Sequence, residues 1–153
     1  MNKIYNAIEI AKYMINKFMH ENLPISNLQL QIMLYFLQCE SYKLREEPLF
    51  INRIEAWPYI PVVPDVYYLY SASWAVPIYM FYENADANID LQDQRWINPL
   101  IERYSNMDVW YLIDLSHADG APWYNTIKLK GGGIIEERII KSYYPLKLGA
   151  IQP

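Results

Sequence analysis

Apolar residues recur at intervals of three and four through Ile4, Ala7, Ile8, Ala11, Ile15 and Phe18, with Asn6, Glu9, Lys12 and Asn16 between them. This spacing predicts an amphipathic helix over residues 3–19. The next pattern differs in kind. Ile32, Met33, Leu34, Tyr35, Phe36 and Leu37 form an unbroken apolar run, so a helix over 27–44 has almost no polar face at its centre and is expected to be buried on all sides. Its start is well marked. Ser26 as N-cap with Gln29 three residues on reads as a capping box, and Ile25 with Leu30 as its hydrophobic staple.

After Pro48 the periodicity changes. Leu49, Phe50 and Ile51, then Asn52 and Arg53, then Ile54 to Trp57 suggest two short extended runs around a polar break, hence a small hairpin within 49–57. Pro61 and Pro64 fix the backbone at a turn, with Pro61 a candidate first residue of a helix over 62–70. An acidic loop over 83–95 leads into a helix over 91–104. Asp108 then caps a helix ending near His117. Gly120 and Pro122 read as a break and the glycines at 131–133 as a flexible connection, before a last helix over 135–144 that stops at Pro145. The expected fold is therefore mainly α: a single compact helical domain with one short β-hairpin.

Composition sharpens this. A length of 153 residues suits one domain that buries about 70% of its unfolded surface. A net charge of −4 and a pI near 5.1 argue against a general nucleic-acid binder, which needs clustered Lys and Arg to neutralise phosphates. Glu9, Lys12, Asn16 and Lys17 interrupt any leader-like apolar run, and the apolar stretch 66–82 falls short of a bilayer span. With a single cysteine, Cys39, the expectation is a cytoplasmic protein without disulfides. The 15 tyrosines stand out, because tyrosine suits cores and binding surfaces alike.

Candidate chemistry is sparse. His117 lies beside Asp114, Ser116 and Asp119, which could tune an imidazole for acid–base work; a histidine at a helix C-terminus more often bonds last-turn carbonyls. His20, His117 and Cys39 show no paired ligand spacing, so no metal or cofactor is expected. Lys128 and Lys130 precede Gly131, the reverse of a phosphate-binding loop. Tyr67, Tyr68, Tyr70, Trp74, Tyr79, Phe81 and Tyr82 fall within sixteen residues, more than one helical face can hide, and any that are exposed form a patch suited to protein partners.

Three blocks carry a resemblance: Ile25 to Leu44 with Glu55, Ala56 and Trp57; Pro61, Val62, Val63 and Pro64; and Leu115, Ser116 and His117 with Pro122 and Trp123. Together they resemble the Panacea domain family of SocA-type antitoxins and GepA-like phage-associated proteins, with 1–145 as the domain and 146–153 as a tail without periodicity. Ile60 stands where that family usually has glycine. The resemblance implies a non-enzymatic module that neutralises a toxin by direct contact, in SocA-type members also by delivering it to a protease. The alternatives are a phage or mobile-element inhibitor of a host defence protein, in the manner of an anti-CRISPR, and an enzyme using His117. The expected partner-binding residues are Trp57, Tyr59, Ile60, Tyr67, Tyr70, Trp74 and Tyr79, with the partner a protein, neither nucleic acid nor membrane, and the oligomeric state open.

Overall fold

A computed structural model describes residues 2–143, so the expected tail at 146–153 and the stop at Pro145 lie outside the described residues. The chain is mainly α, with seven helices and one small antiparallel sheet among the described residues. Helix α1 spans Ala7–His20 and α2 Asn27–Arg45. The α2 helix forms as its sequence signals: Gln29 N donates to Ser26 Oγ at 3.2 Å, and Ser26 N to Gln29 Oε1 at 2.9 Å. Every α2 residue from Leu30 to Tyr42 is buried, and the other elements close around it.

Helix α1 begins four residues later than its apolar spacing predicts. The backbone of Tyr5 is committed elsewhere: Tyr5 N donates to Leu49 O at 2.8 Å, and Ile51 N to Tyr5 O at 3.0 Å. Asn6 then caps the helix, with Ile8 N on its Oδ1 and its own N on Glu9 Oε1, a second capping box. This pairing also displaces the expected hairpin. Residues 49–51 bridge to Tyr5, and Asn52 makes no turn; its side chain accepts from Ala7 N and donates to Asp65 Oδ2. The hairpin lies one step later, where strand β1 (Glu55–Trp57) pairs with β2 (Ile60–Val62) around Pro58 and Tyr59.

Pro61 sits in β2 opposite Ala56, and Pro64 instead opens helix α3, Pro64–Leu69. Helices α4 (Leu91–Ser105) and α5 (Val109–Ser116) follow as predicted, the latter capped by Asp108. Pro122 does not break the chain. It is the first residue of α6, Pro122–Lys130, where the missing N–H costs nothing. Nor are the following glycines a loose connection. Gly131 ends α6 in the left-handed region, and a Cβ on Gly132 would lie 3.0 Å from Ala56 O, so only glycine lets the chain approach β1. Strand β3 (Gly133–Ile134) then pairs with β1, giving the order β2-β1-β3. Ile135 N donates to Ile54 O, which keeps Ile135 extended and shortens the last helix, α7, to Glu137–Lys141.

Buried polar groups fasten the irregular segments to this frame. Arg45 at the end of α2 meets Asp93 of α4 at 3.1 Å, both side chains almost fully buried. Asp93 also accepts from Tyr5 Oη and Trp96 Nε1, and Arg45 donates to the carbonyls of Lys3 and Pro48, so the buried pair is fully bonded. Gln38 Oε1 accepts from Leu49 N and Phe50 N, while its Nε2 donates to Phe50 O.

Two stability measurements test this account. Gln38→Met leaves three buried backbone groups unpaired, so a loss of about 3 kcal/mol is expected, seen as a fall of roughly 1.5 M in the urea midpoint. Glu40 is only 6% exposed, and burial raises its carboxyl pKa against the opposing pull of Lys43 and Arg103. A raised carboxyl binds its proton more tightly in the folded state, so folding loses stability as pH rises above the unfolded value. Glu40→Gln should therefore stabilise at neutral pH, with the gain fading below about pH 4 in thermal melts across pH.

Candidate protein-binding surface

The aromatic segment is held from beneath by two amides of α2. Asn27 Nδ2 donates to the carbonyls of Tyr67 and Tyr70, each at 3.1 Å, and Gln31 Nε2 braces Asn27 Oδ1 at 2.9 Å. Val63 N, just ahead of α3, donates to Gln31 Oε1 at 2.8 Å. Both amides are buried, so the backbone of α3 is gripped at both ends by groups that have no water to turn to.

This grip presents a ring cluster. Tyr67 lies at its centre, with ring centroids 4.9 Å from Trp57, 5.1 Å from Tyr68 and 5.5 Å from Trp74, all edge to face. Such geometry aligns the positive ring edge with the negative face of its neighbour. Trp57 is further fixed through Nε1 to Glu55 Oε1 at 2.8 Å, and Glu55 pairs with Arg53 at 2.6 Å. Those two contacts, the Arg53 bond first, hold the Glu55 carboxyl below its ordinary value. Tyr67, Trp57 and Trp74 are half-buried, whereas Tyr68 and Leu69 face solvent.

The expected partner-binding residues divide. Trp57, Tyr67 and Trp74 come together, and Tyr59 projects from the hairpin beside Trp57 with 78% of its surface exposed. Ile60 and Tyr70 do not belong to the surface, being only 5% and 6% exposed. Ile60 points into the core from β2, and its backbone is not left-handed; the positive φ falls one residue earlier, at Tyr59. Tyr70 bonds Tyr82 Oη at 2.7 Å, and burial drives its phenol pKa up. Tyr79 is exposed, but among the described residues no ring contact joins it to the cluster. It lies with Met80 and Phe81 in the segment leading to Tyr82, whose backbone Asn16 of α1 clamps by exchanging two 2.7 Å bonds. Tyr68 completes the cluster; it belongs to the aromatic run in the sequence, but α3 must be placed before its exposure is legible.

His117 serves the hairpin. It is the C-cap of α5, and its Nε2 lies 2.7 Å from Tyr59 O. A carbonyl only accepts, so Nε2 carries the proton. Its ring stacks on Trp123 at 4.2 Å, and Trp123 Nε1 donates to Trp57 O at 2.9 Å. Two ring N–H groups from α5 and α6 thus pin the hairpin from one side. Among the described residues, neither Asp114 nor Asp119 bonds the imidazole, and no group of three or more His, Cys, Asp or Glu could hold a metal ion. Cys39 is buried in α2, where desolvation raises its thiol pKa well above the ordinary value. No described helix is long and apolar enough to cross a membrane.

The blocks that build this arrangement also define a family. The family described as "Antitoxin SocA-like, Panacea domain" matches residues 30–124, more than half of the chain. The chain belongs to this Panacea family. It is similar to Antitoxin SocA of Caulobacter vibrioides (strain NA1000 / CB15N), with 29% identity over 130 residues that cover 77% of this chain and 68% of that protein. No solved structure matches it. The matched region runs from α2 into α6, so it contains Gln31 of the amide grip, the hairpin, the ring cluster and the His117 and Trp123 pins of this Panacea chain, while Asn27 lies just ahead of it.

The pinning role of His117 has a measurable consequence. His117→Ala removes one hydrogen bond and one ring stack, so a loss of about 1–2 kcal/mol in urea unfolding is expected. Faster amide exchange at Trp57 and Ile60 should accompany it, localised to the hairpin.

Proposed function

We propose that this protein is a non-enzymatic binding module that neutralises a toxin by direct contact. The observation that carries the reading is the ring cluster of Trp57, Tyr67, Tyr68 and Trp74, rigidly held and half open to solvent, in a chain of the SocA-like Panacea family. Aromatic anchors of this kind dominate binding energy at protein interfaces, because they bury much area while losing few rotamers. Masking a toxin takes about 1,200–2,000 Å² of total buried surface, which the cluster, Leu69 and the hairpin tip would centre. The imidazole most suited to catalysis is occupied by Tyr59 O and Trp123, which favours binding over chemistry. Delivery of the toxin to a protease is compatible with the same surface. The alternative of an anti-defence inhibitor would find its support in the Ile60 departure and the tyrosine-rich segment; a buried Ile60 lends it none, and the exposed tyrosines serve either reading.

The test is co-expression with the protein encoded beside it, chosen for being toxic alone. Growth should recover, and the two chains should co-purify. Tyr68→Ala, at a position 66% exposed, should weaken that complex at least tenfold in a titration while moving the melting temperature by less than about 2 °C. Unrelieved toxicity, or unchanged affinity in the variant, would overturn the assignment.

A further inference from the structure

The hairpin tip carries a strained residue whose side chain the fold does not use. Its loop is Pro58 and Tyr59, between the paired residues Trp57 and Ile60. The proline ring holds φ near −65°, which excludes the common two-residue hairpin turns, because both require a positive φ at the first loop position. A positive φ in this loop can then fall only on the second residue, where glycine or asparagine is the usual occupant. Here that residue is Tyr59, at φ +73°. The other described non-glycine residues with positive φ are Asn22, Glu46 and Asn84, so Tyr59 is the one bulky ring forced into this region.

Nothing inside the described molecule compensates. The phenol makes no hydrogen bond and no ring contact among the described residues, and the side chain is largely in solvent. Only the backbone is used: Tyr59 O accepts from His117 Nε2, and Trp57 O from Trp123 Nε1. The result is a convex tip made rigid from below, with an aromatic ring held outward in a conformation the ring itself disfavours. The backbone conformation serves the turn, but a large ring at this position, where glycine or asparagine would fit without strain, has no use inside the described molecule and points to use outside it.

We infer that Tyr59, backed by Pro58, is a wedge that enters a cleft on the neutralised toxin. A flat partner surface would leave a projecting ring mostly wet; only a concave, apolar site with a polar group at its floor buries the ring and satisfies the phenol. The inference rests on the toxin-neutralising reading and adds the shape and chemistry of the site that is blocked.

The experiment measures affinity for the same toxic neighbouring protein, together with thermal stability, for the full chain and for Tyr59→Gly and Tyr59→Asn. Both replacements suit a positive φ, so their melting temperatures should equal or exceed that of the unaltered chain. Both should raise the dissociation constant roughly 30-fold or more. Asparagine keeps the turn preference, so an equal loss in both variants assigns the effect to the ring and not to a loosened loop. A melting temperature lowered in both variants would show that the fold needs the ring, and would overturn the inference. So would unchanged affinity, or a Tyr59-dependent dimer of this chain. If the unaltered chain binds no toxin, the neutralising reading falls first, and the wedge with it.

Discussion

Four carboxamides buried in helices α1 and α2 hold the irregular half of this chain in place. Asn16 grips Tyr82, Asn27 grips Tyr67 and Tyr70, Gln31 grips Val63, and Gln38 grips Leu49 and Phe50. Each lies in a site that excludes water, where an unpaired amide costs far more than a paired one gains. Among the described residues, the long connections after α2 have three short strands to satisfy their backbone. The amides stand in for the missing ladder, offering a donor and an acceptor to main-chain groups that would otherwise be orphaned in the core. The Arg45 and Asp93 pair performs the same office at the start of α4, with charge in place of an amide.

Local signals made much of this visible in the sequence. The capping box of Ser26 and Gln29, the apolar run through Leu34 and the Asp108 cap are contained within a few residues, and each produced the expected helix. The errors arose where a distant partner decides. Leu49 to Ile51 reads as a hairpin strand because it is extended, but Tyr5 pairs with it, and nothing near residue 50 announces Tyr5. Pro122 reads as a break until Ala121 is seen to lead into a helix that packs on β1 and β3. The glycines at 131–133 look permissive in isolation, whereas the nearness of Ala56 O makes Gly132 a requirement.

The surface followed the same division. Aromatic density marked the right segment, since composition records how many rings must be accommodated. It could not say which ring faces outward. Tyr68 and Tyr70 stand two residues apart on one short helix end, yet one is exposed and the other bonds Tyr82 inside the fold. Ile60 drew attention as a departure from a family pattern, while the unusual backbone belongs to Tyr59, because Pro58 dictates where the turn can place it.

A side-chain amide that bonds to main chain is indifferent to the identity of the residue it holds. Asn27 touches carbonyls that any amino acid would supply at positions 67 and 70, and Asn16 does the same at 82. The backbone of α3 and of the stretch before Tyr82 is thus positioned without reference to the outward side chains. Residues 68, 69 and 79–81 can be rewritten at small cost to the frame. The architecture therefore separates what must be kept to fold from what can be changed to recognise, as a printing forme holds interchangeable type.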